Sequence, residues 1–282
     1  MESLVSTEWL AEYLRDPRLV VIDASLHLPN AGRDARAEFA QGHVPGARFL
    51  DLRELVDEQS EVPQALPRPE QLAERLAKLN VQPDSLLVFY DDSAVKTAAR
   101  AWYLCCAHGL DNVAMLDGGL AKWKTEGREL ESGAESAASS ESTPALSAPR
   151  SIRFKADMLA NIESGESQVV DARDPGRFSG EFVDTVHNMP SGHIPGSCNM
   201  PFFRLFDEDG TFKSPDELRV LFDEAGIDPQ RPVIASCGSG ITACVLLFAL
   251  DMIGAPDTAL YDGSWIDWGG DPSTPNATSV EQ

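Results

Sequence analysis

RPVIASCGSGITAC, residues 231–244, reads as a short buried strand, a tight loop and the start of a helix. PVIAS is apolar, too short for a helix and rich in β-branched residues. The loop Cys237-Gly238-Ser239-Gly240-Ile241-Thr242-Ala243 follows it. CVLLFALDMIG (244–254) then has helical length and ends on a glycine. Strand, loop and helix in this order are the unit of a parallel α/β sheet. Ligands gather at the carboxyl ends of strands in such sheets, so the loop at Cys237 is the first place to look for function.

The same order occurs half a chain earlier. LLVFYDDSAVKTAA (86–99) parallels 231–244, and LVVIDAS (19–25) recurs as QVVDAR (168–173). RDARAEFAQGHVPGA (33–47) recurs loosely as DPGRFSG and SGHIPGS, the latter ending at 197, and MLDGGLAKW (115–123) recurs as LYDGSWIDW (260–268). Matched positions stay 145–150 residues apart, which marks two copies of one domain. ESGAESAASSESTPALSAP (131–149) has little to bury and reads as a linker. The expected organisation is a domain over 1–130, a linker over 131–149 and a second domain over 150–282. The expected class is α/β, two tandem domains, each a mostly parallel sheet covered by helices on both faces. Helices are expected in TEWLAEYLRD with Thr7 as cap, in PEQLAERLAKLN, and in SPDELRVLFDEAGI, where Ser214, Glu217 and Gly226 mark the ends.

Composition narrows the function. The 282 residues suffice for about two domains. Lys and Arg number 23 against 45 Asp and Glu, a net charge of −22, which disfavours nucleic acid and anionic membrane as partners. An anionic substrate would need a local positive site. No apolar run has the length of a membrane span, and MESLVSTEWLAEYLRD lacks the pattern of a signal peptide. The five cysteines, an odd count without stapling spacing, suggest free thiols in a reducing, cytoplasmic setting. His and Cys show no paired ligand spacing, so no metal is expected.

A cysteine at a strand end, followed by two glycines and a helix, has a chemical use. The glycines let successive N–H groups turn inward as an anion nest, and the helix N-terminus adds partial positive charge. Both favour thiolate over thiol, giving a nucleophile without a metal. The bland alternative is a small buried cysteine in a turn. Against it, the first copy carries Asp92 at the matched position and lacks the glycines. A cysteine phosphatase would need Arg at the sixth position after the nucleophile, where this chain has Ala243.

The two-copy layout, the DAR and GH[VI]PG signatures and the DG(S/G) segments resemble rhodanese-type sulfurtransferases over nearly the whole chain. The loop CGSGITA is similar to the 3-mercaptopyruvate subclass; the thiosulfate-using subclass carries basic residues directly after the cysteine, where this chain has Gly238 and Ser239. The resemblance implies tandem rhodanese-like domains, with the nucleophile in the second. It implies that Cys237, with no cofactor, takes sulfur from 3-mercaptopyruvate as a persulfide, releases pyruvate, and passes the sulfur to cyanide or to a thiol, small or on a thioredoxin-like protein. Gly238, Ser239, Gly240, Ile241 and Thr242 would then surround the donor, with Arg177 of the GRF segment on its carboxylate. A second arginine of the mercaptopyruvate enzymes is absent; the aligned stretch EFVDTVHNMPSG places Val186 and His187 there. A proton relay of Ser239, His43 and Asp34 is implied too, although His193 shares the GH[VI]PG position and favours a structural His43. Asp23, Asp171, Cys105, Cys106 and Cys244 read as structural, and a monomer suffices. The alternatives are a thiosulfate sulfurtransferase and a non-catalytic persulfide carrier or binding module.

Overall fold

The computed structural model describes residues 2–134 and 144–279; the linker positions 135–143 lie outside the described residues. The chain divides into two compact units. One comprises Met1–Asp57, Leu66–Arg150 and Asp207–Phe212, and the other Glu58–Ala65, Ser151–Phe206 and Lys213–Gln282.

The first unit holds strands β1 (Leu4–Val5), β2 (Leu19–Asp23), β3 (Arg48–Phe49), β4 (Leu86–Tyr90) and β5 (Val113–Leu116). The second holds β6 (Ile152–Arg153), β7 (Gln168–Asp171), β8 (Ser197–Asn199), β9 (Val233–Ser236) and β10 (Thr258–Tyr261). The sheet orders are β1-β5-β4-β2-β3 and β6-β10-β9-β7-β8, so the two units share one topology. Every pairing between these strands is parallel, as apolar runs joined through helices require. The flanking helices are α1 (Thr7–Tyr13), α2 (Ala35–Gln41), α3 (Pro69–Lys78), α4 (Ala98–Ala107), α5 (Gly119–Thr125), α6 (Lys155–Ser164), α7 (Pro175–Ser179), α8 (Pro215–Glu224), α9 (Ala243–Met252) and α10 (Ser264–Trp268).

Local chemistry explains the helix ends. Ser214 and Glu217 form a capping box at α8, as their spacing predicts. At α1 the cap is Ser6, not Thr7: Ser6 Oγ accepts the Trp9 N–H at 3.1 Å, while the Thr7 hydroxyl donates to Glu126 at 2.6 Å. The repeated tryptophans fill matching places. Trp123 and Trp268 are buried, and each donates its indole N–H to a backbone carbonyl at 2.8 Å, Trp123 to Glu129 and Trp268 to Pro275. Among the described residues no helix is long and apolar enough to cross a membrane.

One repeated position differs in its electrostatics. Asp23 and Asp171 end the matched strands β2 and β7 and are both buried. In the sequence D-A-R, Arg173 lies two residues on and grips Asp171 through Nε at 3.0 Å and Nη2 at 2.7 Å. In D-A-S that place is Ser25, whose backbone N–H reaches Asp23 at 2.9 Å, and among the described residues no guanidinium bonds to it. Burial therefore pushes the Asp23 carboxyl up to about 6, with the Ser25 hydrogen bonds pulling the other way. A raised carboxyl holds its proton in the folded state, so Asp23 favours folding below pH ~4 and loses that favour as pH rises to ~6. Asp23→Asn is expected to stabilise the protein at pH 7.5 by on the order of 2 kcal/mol and to do nothing at pH 4. Thermal unfolding at the two pH values checks this; an equal gain at both removes the charge from the explanation.

Candidate active site

The Cys237 loop is fastened to the segment that follows β10. Cys237 N–H donates to Ser264 Oγ at 3.1 Å, the Cys237 carbonyl accepts the Trp265 N–H at 3.0 Å, and the Gly238 carbonyl accepts the Ile266 N–H at 2.9 Å. These bonds tie the start of the loop to the start of α10. Gly240 then turns the chain with φ +78°, which a side chain would strain, and its N–H points at Cys237 Sγ at 3.1 Å. Cys244, the second residue of α9, donates its S–H to the Gly240 carbonyl at 3.1 Å. The backbone N–H groups of Gly238, Ser239, Ile241 and Thr242 have no acceptor among the described residues. The sulfur thus accepts one loop amide, and the neighbouring loop amides stay unpaired among the described residues. Cys237 is 1% exposed and Ser239 6%, with Ile241 and Thr242 half-buried at the rim.

Ser264 is a member of this site that sequence reasoning passed over. It adopts φ +49° where the matching residue of the first unit, Gly119, has +57°. A serine in this left-handed conformation costs about 1 kcal/mol. Its buried hydroxyl accepts the Cys237 N–H, donates to the Tyr261 carbonyl at 2.9 Å and lies 4.0 Å from Cys237 Sγ. The signal was available as DGS in one repeat against DGG in the other.

The matching loop of the first unit is closed by its own chain. Asp23 pairs with Tyr90 across that sheet and Asp171 with Ser236 across the other, so Cys237 corresponds to Asp91. The sequence alignment had placed Asp92 there, one residue off. The Asp91 carboxylate accepts the N–H of Ser93 at 2.9 Å and of Ala98 at 2.7 Å. Ser93 Oγ and the Ser93 carbonyl take the N–H of Val95 and of Lys96. Burial raises the Asp91 carboxyl, and the two amide bonds oppose the shift.

Arg177, on α7, is mostly buried and paired with two carboxylates: its Nε with Asp174, and its Nη1 with Asp184 Oδ1 at 3.5 Å. Asp184 is fully buried and organises the loop after α7. Its Oδ1 accepts the N–H of Val186 at 3.0 Å and of His187 at 3.1 Å, and Oδ2 lies 3.2 Å from His187 Nδ1. Burial would push the Asp184 carboxyl up, but the His187 bonds and the Arg177 charge hold it well below the usual carboxylate range. The His187 ring in turn packs on Gly238. A contact chain Arg177–Asp184–His187–Gly238 therefore links the arginine to the nucleophile loop. The stretch that lacks the second arginine is where His187 stands.

Comparison with known proteins is decisive for the family. A model of the rhodanese-like domain matches residues 6–126 and again 155–271. The chain belongs to the rhodanese-like domain family. It is 41% identical to human 3-mercaptopyruvate sulfurtransferase over 272 residues, 94% of this chain and 91% of that protein. It is 38% identical to thiosulfate sulfurtransferase of Cricetulus griseus over 284 residues, 94% of this chain and 91% of that one. The crystal structure of SseA from Escherichia coli, described as a 3-mercaptopyruvate sulfotransferase, superposes with a TM-score of 0.84 at 37% identity, covering 94% of this chain and 99% of that one.

The tandem rhodanese-like architecture explains His43 and Asp34. His43 Nδ1 lies 2.7 Å from the Phe39 carbonyl and its ring stacks on Phe39 at 3.8 Å; His193 repeats both with Phe178 at 2.8 and 3.9 Å. Each histidine also forms an isolated bridge, His43 with Glu131 and His193 with Ala277. Asp34 caps α2 through the Ala37 N–H at 3.0 Å, as Asp174 caps α7 through the Arg177 N–H at 3.0 Å. Of the three members of the expected relay, His43 and Asp34 thus hold hydrogen bonds that recur in the other rhodanese-like unit. The remaining cysteines are free; Cys105 and Cys244 are buried, and Cys106 and Cys198 partly so. Among the described residues, no group of three or more His, Cys, Asp or Glu is arranged to hold a metal ion.

Proposed function

We propose that this protein is a sulfurtransferase that takes sulfur from 3-mercaptopyruvate onto Cys237 and passes it to a thiol or cyanide. The observation that carries the reading is the placement of Cys237 Sγ on the Gly240 N–H within a loop whose neighbouring N–H groups have no acceptor among the described residues. The Cys237 thiolate attacks the donor sulfur. The carbon–sulfur bond breaks, its electron pair leaves as the enolate of pyruvate, and a proton from the surroundings completes the product. The loop amides stabilise the persulfide left on Cys237. An acceptor nucleophile then attacks the outer sulfur and returns the Cys237 thiolate, a double-displacement cycle. Ser239, two residues along the loop, supplies a hydroxyl for the proton transfer. The relay through His43 and Asp34 is left out, because both already hold structural hydrogen bonds.

Mercaptopyruvate is favoured over thiosulfate because no basic side chain follows Cys237 directly; Gly238 and Ser239 offer backbone and hydroxyl only. In this reading residues 1–130 form the scaffold domain and 150–282 the catalytic one. The acceptor is cyanide, a small thiol or a thioredoxin-like protein, the working form is a monomer and the compartment is the cytoplasm. Side-by-side steady-state kinetics with 3-mercaptopyruvate and thiosulfate, at matched cyanide, test the donor. A higher kcat/KM for mercaptopyruvate is expected, and a clear preference for thiosulfate overturns the assignment. Arg177→Ala is expected to raise the mercaptopyruvate KM by roughly 10- to 100-fold, the loss of one charge-assisted carboxylate contact, and to lower the melting temperature, because the buried Asp184 keeps only its His187 contacts. An unchanged KM places the carboxylate elsewhere.

A further inference from the structure

Gly238 is glycine because of what lies against it. A Cβ at this position would fall 2.7 Å from His187 Nε2 and 2.8 Å from Nδ1, and nearer still to Cε1. The imidazole occupies the space that any side chain directly after the nucleophile would need. His187 Nδ1 is held by Asp184, and Nε2 has no hydrogen-bond partner among the described residues. The ring is not sealed in, for the side chain retains 15% of its exposure. The same buried Asp184 faces Arg177. One carboxylate therefore positions two basic side chains, one of them in contact with the loop that carries Cys237.

We propose that His187 is a donor-binding residue that sets specificity for a small sulfur-bearing carboxylate, an inference resting on the sulfurtransferase reading above. Its imidazolium form gives one N–H to Asp184 and the other to an oxygen of the donor carboxylate, beside the Arg177 guanidinium. In a chain of net charge −22 such a local pair is what an incoming anion requires. Mercaptopyruvate is long enough to keep its sulfur at Cys237 while its carboxylate reaches the rim. Thiosulfate is compact and sits in the amide nest, so it depends less on the ring.

The test compares wild type, His187→Ala, His187→Gln and His187→Arg with both donors. His187→Ala and His187→Gln are expected to raise the mercaptopyruvate KM about 10-fold or more with kcat changed less than about threefold, and His187→Arg to bring KM back toward wild type. The thiosulfate KM should move less. A mercaptopyruvate KM within twofold of wild type in His187→Ala overturns the inference and leaves the sulfurtransferase reading standing. Gly238→Ala supplies a second arm: it should raise the mercaptopyruvate KM in wild type by displacing the ring and add little in the His187→Ala background. Full additivity counts against the proposal. Pyruvate gives a readout that needs no turnover. Saturable shifts of the His187 imidazole resonances on titration with pyruvate support the inference, and their absence opposes it. Failure of wild type to gain sulfur on Cys237 from mercaptopyruvate, read by mass spectrometry, would instead sink the sulfurtransferase reading itself.

Discussion

Cys237→Ser is expected to abolish sulfur transfer while leaving the melting temperature within a few degrees of wild type. Oxygen can accept the Gly240 N–H that the sulfur accepts, so the loop keeps its fastening. It cannot replace the chemistry. A hydroxyl is a far poorer nucleophile than a thiolate, and the step needs a sulfur–sulfur bond that can later be broken by the acceptor. The fall should exceed about 10⁴-fold, on the order of 5 kcal/mol of barrier. Two measurements check it: steady-state turnover with mercaptopyruvate, and the gain of one sulfur by the protein after exposure to donor alone. Retained turnover, or sulfur gained elsewhere in the variant, removes Cys237 from the mechanism.

Arg173→Leu is expected to be the most destabilising single change near the site. The Arg173 side chain is fully buried, clasps Asp171, donates to the Gly192 carbonyl at 2.7 Å and lies over the Trp265 ring at 4.4 Å. Removing it strands a buried carboxylate, which typically costs about 3–5 kcal/mol. It also frees Trp265, whose N–H holds the Cys237 carbonyl. Denaturant unfolding should show the loss. Asp171→Asn in the same chain should recover a large part of it, because a neutral amide can keep the backbone bond without the stranded charge. If the double variant is no more stable than Arg173→Leu, lost packing rather than charge is the cause. The first unit, where Ser25 stands at this place, holds its carboxylate with hydrogen bonds from neutral groups instead of a guanidinium, and its Asp23 carries the raised carboxyl.

The sequence made the strands legible because LVVID, LLVFY, QVVD and VIAS are short, apolar and bounded by polar residues, a pattern that survives without context. Cys237 was legible for a related reason: strand, nucleophile, glycine turn and helix are consecutive. His187 was not, since its meaning lies in contact with Gly238, a residue 51 positions away that no local pattern connects to it. Asp184 escaped for the same reason, as its partners are Arg177 on α7 and His187 in the irregular segment that follows. Asp91 was missed by one residue because sequence matching weighed loop letters, while the pairing of Asp23 with Tyr90 fixes the register. For His43 the repeat offered an internal control: His193 stands at the same place, and both rings lie on a backbone carbonyl and stack on a phenylalanine.

The plugged first loop sets the stoichiometry of the whole chain. Its stopper is tethered, so a dissolved anion must compete with a group that never diffuses away. With no thiol at the matched place either, a protein exposed to excess donor should load one sulfur per polypeptide on its two loops, and inhibitory oxyanions should saturate at a single equivalent. Duplication here has doubled the scaffold without doubling the capacity.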